Sequence, residues 1–255
     1  MHHLIPAYRL NLALHVVKEC ASYKIHIPKS MTVFNKLSIV IPIGPDDNAW
    51  QQLLKELNAF GGDIEIILSA CQAQPKDFDL PDNVIWIHSN QGRARQLNAG
   101  VTQTCRSVIW FLHADTRFTA GVIEAMRGYI ETGEPGMGYF RLKFADDGPE
   151  QTWLNAWAAN IRSRYFGLPF GDQGFIINKS LLEQLNGFDE TISVGEDLDF
   201  VVRVKASGTS LQELPAELIT SARRYQQHGW LSTTIRHVWL TWCLTRQAKR
   251  RLVPS

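Results

Sequence analysis

Short unbroken apolar runs alternate with segments whose apolar positions recur every three or four residues, and that change of period divides the chain. Leu37 to Ile43 is a continuous, β-branched run stopped by Gly44-Pro45, the pattern of a strand buried on both faces. Trp50, Leu53, Leu54, Leu57 and Phe60 then recur at helical spacing behind Asp46, Asp47 and Asn48, and Gly61-Gly62 ends them, which predicts a capped helix. Ile64–Leu68 and Val84–His88 predict two more strands on either side of a Pro- and Asp-bearing loop from Gln74 to Asp82. A second helix is expected over Gly92–Cys105 and a further strand over Val108–Leu112. Strands alternating with helices imply an α/β fold with a mainly parallel sheet and right-handed crossovers. Beyond that point the alternation stops. Tyr139–Phe144 reads as a strand, Trp153–Phe166 as an aromatic-rich helix, Ser180–Leu185 and Leu198–Lys205 as short amphipathic helices, and Trp230–Arg251 as a Trp-rich helix closed by Lys249-Arg250-Arg251.

A chain of 255 residues, 45% of them hydrophobic, buries a sizeable core and suits one domain with appendages. With 26 basic against 25 acidic residues, nothing in the net charge argues for nucleic acid as the main partner. Cys20, Cys71, Cys105 and Cys243 are scattered with no Cys-x-x-Cys pair, so neither a zinc site nor a disulfide framework is indicated, and a reducing cytoplasm fits. Residues 1–36 lack a continuous apolar segment with a small-residue cleavage site and read as an N-terminal extension, not a signal peptide. No stretch approaches the roughly 18 consecutive apolar residues of a spanning helix.

Chemistry concentrates at two places. His113-Ala114-Asp115 directly follows the Val108–Leu112 run, and the C-terminal ends of strands are where open α/β sheets bind ligands. Glu196-Asp197 forms a second acidic cluster, preceded by Gly171-Asp172-Gln173-Gly174. A cation-holding carboxylate and a separate base are the minimum equipment for moving a group off a diphosphate. Plainer readings stand beside each. Asp115 would cap the turn into Thr116-Arg117, Glu196 and Asp197 would be dipole-favoured charges at a helix start, and Asp172 and Gln173 would form an ordinary turn. Arg93 and Arg95 meet an anion at the start of their helix or make a solvated face. Asn98 holds a helical turn or reaches a nucleotide. Arg223 and Arg224 grip phosphate with forked donors or are surface charges.

Taken in order, the Ile-Pro of the first strand, Gly92-Arg93 through Leu97-Asn98-Ala99-Gly100, the acid-tipped strand, Gly171-Asp172-Gln173-Gly174, Gly187-Phe188-Asp189-Glu190 and Glu196-Asp197 resemble family 2 glycosyltransferases of the GT-A fold, over about Leu37 to Arg251. Gly92–Gly100, Phe111–Thr116 and Thr220–Arg224 resemble more narrowly a bacterial subgroup associated with radical-SAM and selenodomain neighbours. The resemblance implies a GT-A domain over 37–225 with a mixed acceptor-side half, followed by a helical, Trp-rich basic tail over 226–255. It implies metal-dependent, inverting transfer of a sugar from a nucleotide-diphosphate donor, a UDP-sugar by prior, to an unknown acceptor. Asp197 would be the general base, with Glu196 its orienter or alternate. Asp115 would hold Mn²⁺ or Mg²⁺, with His228 completing the shell. Pro42, Gly44, Arg93, Arg95, Asn98, His113, Ala114, Asp115, Arg223 and Arg224 would line the nucleotide-sugar site, and Gly171, Asp172 and Gln173 the acceptor side. This chain departs from the family at His113, where relatives carry the first acid of an Asp-x-Asp triplet, and at Gly44-Pro45-Asp46-Asp47 and Ser69-Ala70-Cys71-Gln72, where they carry acids.

Two other functions fit parts of the pattern. One is a nucleotide-sugar-binding module without turnover. The other is a nucleotidyltransferase, although no Gly-rich phosphate loop follows the first strand. In the tail, Trp230, Trp239, Leu240 and Trp242 with Lys249-Arg250-Arg251 either pack into the core or rest peripherally on the inner face of an anionic membrane, presenting the site to a lipid-linked acceptor.

Overall fold

Eight strands form one sheet among the residues described in this computed structural model, 33–133 and 136–251 (of His228, the backbone only). They are β1 (Leu37–Ile43), β2 (Glu65–Ala70), β3 (Val84–His88), β4 (Val108–Phe111), β5 (Arg117–Phe118), β6 (Gly136–Phe144), β7 (Ile176–Asn178) and β8 (Ser210–Thr220), in the order β3-β2-β1-β4-β7-β6-β8-β5. The first four pair in parallel, as the alternating pattern requires, whereas β7 runs antiparallel to both β4 and β6. The expected mixed second half begins at β7.

The helices are α1 (Trp50–Leu57), α2 (Arg93–Gln103), α3 (Val122–Thr132), α4 (Thr152–Phe166), α5 (Lys179–Gln184), α6 (Glu196–Ala206), α7 (Arg223–His228) and α8 (Trp230–Arg251). Of the extension expected over residues 1–36, only Val33–Lys36, a 3-10 turn, is described. α8 belongs to the same compact unit as the sheet. The boundary expected at residue 225 is therefore not a structural one: α8 packs on α6.

The sheet separates two apolar layers. Leu37, Ile39, Ile41 and Ile43 face Trp50, Leu53 and Phe60, while Val40 faces Leu97, Phe111 and Phe200 on the other side. Burial on both faces explains why β1 shows no polar alternation. The tightest approach in that second layer is at Gly100, where an added Cβ would sit 2.4 Å from Cγ1 of Val40. Because Val40 is β-branched and stiff, Gly100→Ala is expected to lower stability by about 2 kcal/mol, the overpacking cost outweighing roughly 1 kcal/mol of gained helix propensity. Urea denaturation would show it as a lower midpoint at unchanged slope.

Pairing of β1 with β4 ends at Val40↔Phe111, whereas its pairing with β2 continues to Ile43↔Ala70. The chain leaves β1 toward one side of the sheet and β4 lies on the other, so a crevice opens beyond their C-terminal ends at the reversal of strand order.

Candidate functional site

A cavity of about 1260 Å³ occupies this crevice and extends toward α4 and α8. The end of β1 contributes Pro42 and Gly44, the end of β4 contributes His113, Ala114 and Asp115, and Arg93, Asp172, Arg223 and Arg224 complete that end. Six cationic side chains line the whole cavity against three carboxylates, although the chain as a whole is nearly neutral. The excess positive charge is therefore local, as a site for a multiply charged anion requires.

Several backbone ties hold this cradle. Asp47, on the cavity wall, caps the turn into α1 by accepting the Ala49 N–H at 2.9 Å. Asp46 adopts a left-handed conformation with φ 55°, and its N–H donates to Oε1 of Gln72 at 3.2 Å. Gln96, buried on α2, donates through Nε2 to the carbonyls of Ile43 (2.6 Å) and Ser69 (2.8 Å), joining the ends of β1 and β2. Sequence reasoning passed over Gln96. Its available sign was a polar residue on the inward face of a helix, beside Leu97 and Gly100.

At the β4 tip the turn is closed by the Thr116 N–H donating to the His113 carbonyl at 3.1 Å. The capping role open to Asp115 is thus filled by backbone, and its side chain borders the cavity. His113 is paired: its Nδ1 lies within hydrogen-bond distance of Oδ1 of Asp172. Burial pushes the Asp172 carboxyl up, but pairing with His113 and the nearby Arg93 and Arg224 outweigh it, holding the group well below the usual carboxylate range.

Asp197 lies just behind. Its Oδ2 accepts the Gly171 N–H at 2.9 Å and its Oδ1 the Leu198 N–H at 2.8 Å, so it pins the Gly171 loop to the start of α6. A Cβ at Gly171 would stand 3.1 Å from Nε2 of His113 and 3.4 Å from Oδ2 of Asp197; glycine there brings the two side chains together. Glu196 is buried, with Arg93 Nε 3.6 Å from its Oε1. Burial and then the neighbouring Asp197 push its carboxyl upward, with Arg93 opposing them.

Other expected site residues are placed elsewhere. Gln173 is fully buried; its Nε2 donates to the Phe140 carbonyl while its Oε1 accepts from Ser163 Oγ and the Phe170 N–H. It ties the loop to the core and does not face an acceptor. Asn98 takes the loop-holding alternative: its amide donates to the Phe188 carbonyl and Glu190 Oε1 and accepts the Phe188 N–H, which leaves no donor for a nucleotide. Arg95 is exposed and off the cavity wall. The His228 side chain, expected near the metal, lies outside the described residues.

Among the described residues no three His, Cys, Asp or Glu side chains converge as a metal cage. Asp115 alone still fits a hard divalent cation that arrives with a diphosphate, because Mg²⁺ is commonly held by one or two carboxylates, substrate phosphates and water.

Arg162 of α4 is a site residue that the sequence pattern did not reveal. Its guanidinium stacks 3.2 Å from the centre of the Phe170 ring, Nε donates to the Leu168 carbonyl, and Nη2 is buried without a hydrogen-bond partner. Burial pulls it down to about 10, against the pull of Asp197 and Asp172. It places a cation beside both carboxylates on the acceptor-side wall. Nearby, the Tyr225 hydroxyl lies 3.1 Å from Nδ1 of His237, joining α7 to α8.

The family model for glycosyl transferase family 2 matches residues 48–185. The chain is 20% identical over 224 residues to the pre-mycofactocin glycosyltransferases of Mycobacterium tuberculosis strains CDC 1551 / Oshkosh and ATCC 25618 / H37Rv, a match covering 80% of this chain and 46% of each relative. It therefore spans about half the length of those relatives. In three dimensions it is similar to residues 1–349 of S. aureus TarS in complex with UDP-GlcNAc, with TM-score 0.55 and 15% identity over 73% of this chain and 58% of that one. The same S. aureus fragment in a second structure gives TM-score 0.50 at 16% identity, with the same coverage. At such identities the likeness to these structures speaks for the GT-A fold alone.

Proposed function

The chain belongs to glycosyl transferase family 2, and from that premise we propose that it transfers a sugar, with inversion, from a nucleoside-diphosphate donor to an acceptor hydroxyl. The observation that carries this reading is Asp115: a carboxylate the β4 turn does not need, opening on a cavity with six cations against three carboxylates. Arg93, Arg223 and Arg224 bind the diphosphate through forked donors. A Mn²⁺ or Mg²⁺ ion held by Asp115 and the diphosphate would neutralise charge on the leaving group. UDP is the donor nucleotide by fold likeness, since the similar S. aureus structure contains UDP-GlcNAc.

Asp197 accepts the acceptor's hydroxyl proton; the oxygen forms its bond to the anomeric carbon as the bond to the diphosphate breaks, and the diphosphate leaves with the electron pair. Asp172, anchored on His113, orients the acceptor, and Arg162 supplies a cation beside both carboxylates. One observation favours exchanging the two roles: Asp172, and not Asp197, borders the cavity. The narrower likeness to the radical-SAM and selenodomain-associated subgroup rests on Gly92–Gly100, Phe111–Thr116 and Thr220–Arg224, and a cytoplasmic setting accords with this reading and with the scattered cysteines.

Calorimetric titration with a panel of nucleoside diphosphates and nucleotide sugars, in Mn²⁺, Mg²⁺ or chelator, tests the donor site. One nucleotide is expected to bind, more weakly by about tenfold or more in chelator, and Mn²⁺ without nucleotide is expected to bind feebly because the described protein side chains supply few ligands. A folded protein that binds none of them would overturn the reading. Donor binding without any turnover would leave a binding module in place of an enzyme.

A further inference from the structure

The far end of the cavity differs in character from the donor end. Leu154 and Trp157 of α4 face Val238 and Trp242 of α8 across it, on the same continuous surface as Asp115 and Asp172. Its volume of about 1260 Å³ exceeds the roughly 300–1,000 Å³ usual for one small ligand, so the donor leaves space unfilled. The two helices are joined at the mouth by Trp230 Nε1 donating to Asn155 Oδ1 at 2.6 Å and Asn155 Nδ2 donating to Thr234 Oγ1 at 2.9 Å.

Both helices also carry apolar side chains that face outward. Leu231, Ile235, Val238, Trp239 and Trp242 follow helical spacing along one stripe of α8, and each is 60% or more exposed. On α4, Trp153 and Trp157 are equally exposed. The other side of α8 is docked. A Cβ at Gly195 would meet Leu244 Cδ1 at 2.4 Å, and Arg251 reaches Asp189 at 3.2 Å, so the stripe is held outward by the α6 contact. Contiguous exposed apolar surface of this kind marks an interaction site. Charge selects the partner. Across α4 and α8 there is no Asp or Glu against seven Arg and Lys; Arg162 is turned inward and Arg251 is paired with Asp189, which leaves five exposed cations in a chain that balances 26 against 25. Aromatic and aliphatic residues on one face with basic residues beside them are the make-up of a helix lying on an anionic lipid surface.

Resting on the transferase reading above, we propose that the α4–α8 rim sits on an anionic lipid bilayer and that the acceptor is a lipid-borne hydroxyl, entering the cavity from the membrane with its apolar part between these helices. No helix among the described residues is long and apolar enough to cross a membrane, so the contact is a peripheral one.

The full chain is mixed with vesicles of phosphatidylcholine alone or with phosphatidylglycerol, and sedimented. Sedimentation is expected with the anionic vesicles and reduced by salt. Arg236→Glu with Arg250→Glu, both exposed and off the cavity wall, is expected to lower partitioning by about thirtyfold or more, from roughly 1 kcal/mol per basic residue, and Trp157→Ser with Trp242→Ser to lower it by about tenfold or more. Circular dichroism and undiminished donor binding by these variants would separate loss of docking from loss of fold. Absence of sedimentation, or sedimentation indifferent to both pairs of substitutions, would overturn the docking. A dimer by light scattering that the Trp substitutions convert to monomer would show that a second copy covers the stripe instead. With vesicles of bacterial polar lipids, labelled sugar is expected in the organic extract; label found only in water while the protein is vesicle-bound would overturn the lipid acceptor. Donor titration without vesicles decides the transferase reading separately, so either idea can fail alone.

Discussion

Asp197→Asn is expected to lower turnover by about 10²–10⁴-fold, the usual contribution of a positioned general base, while donor affinity and fold persist. The amide cannot take up the acceptor proton, yet its oxygen can still accept the Gly171 N–H, so the loop tied by the carboxylate in the native chain keeps an anchor. Release of nucleoside diphosphate with water as acceptor provides the assay without knowledge of the natural acceptor. The loss in the variant should persist across the pH range, because no group remains there to take the proton. Asp172→Asn supplies the contrast. Because Asp172 is held well below the ordinary carboxylate range by His113, Arg93 and Arg224, an acidic limb at unusually low pH that vanishes only in the Asp172 variant would transfer the role of base to Asp172. Under the present assignment, the Asp172 variant instead keeps most of the water-supported release of nucleoside diphosphate, and the Asp197 variant does not.

Asp115→Ala should reduce kcat/KM for the same donor by about 10²–10³-fold, the scale seen when one group that stabilises developing charge is removed. Two readouts make the result specific. Donor binding should lose its dependence on Mn²⁺ or Mg²⁺, because the remaining cradle grips the diphosphate through Arg93, Arg223 and Arg224 without the cation's protein ligand. Thermal unfolding should shift little, since the β4 turn is closed by the Thr116 N–H and His113 carbonyl and not by the Asp115 side chain. Unchanged metal dependence in the variant would remove Asp115 from the cation site. A large drop in unfolding temperature would return it to a structural role.

Much of the architecture was legible. β1 to β4 and the helices between them appear where unbroken apolar runs and Gly- or Pro-bounded helical periods predict them. The exceptions are instructive. β8 escaped because Pro215 interrupts an otherwise alternating segment, and a proline argues against a central strand. The structure accommodates it at a register irregularity: Tyr139 pairs with Glu213, but Arg141 pairs with Glu217. α3 buries Val122, Ala125, Met126, Tyr129 and Ile130 at helical spacing, a period that is present in the sequence although no helix was expected there. β7 has only three residues, too few for any period to register.

The sequence alone determined the strand-helix alternation, the placement of Asp115 at a strand tip, the glycine before Asp172, and the family resemblance. These are properties of neighbouring residues, where backbone period, turn residues and capping act over a few positions. Tertiary structure alone decided what the polar side chains do. Asn98 turns away from the crevice because its partner Phe188 lies 90 positions along the chain. Gln173 is a core amide because Phe140, 33 positions away, offers its carbonyl. His113 meets Asp172, Arg162 settles beside two carboxylates, and Trp239 and Trp242 face outward because the opposite side of α8 is docked on α6. A buried polar group must take whatever hydrogen-bond partner the fold brings to it, and that partner is set by long-range packing, which local periodicity does not encode.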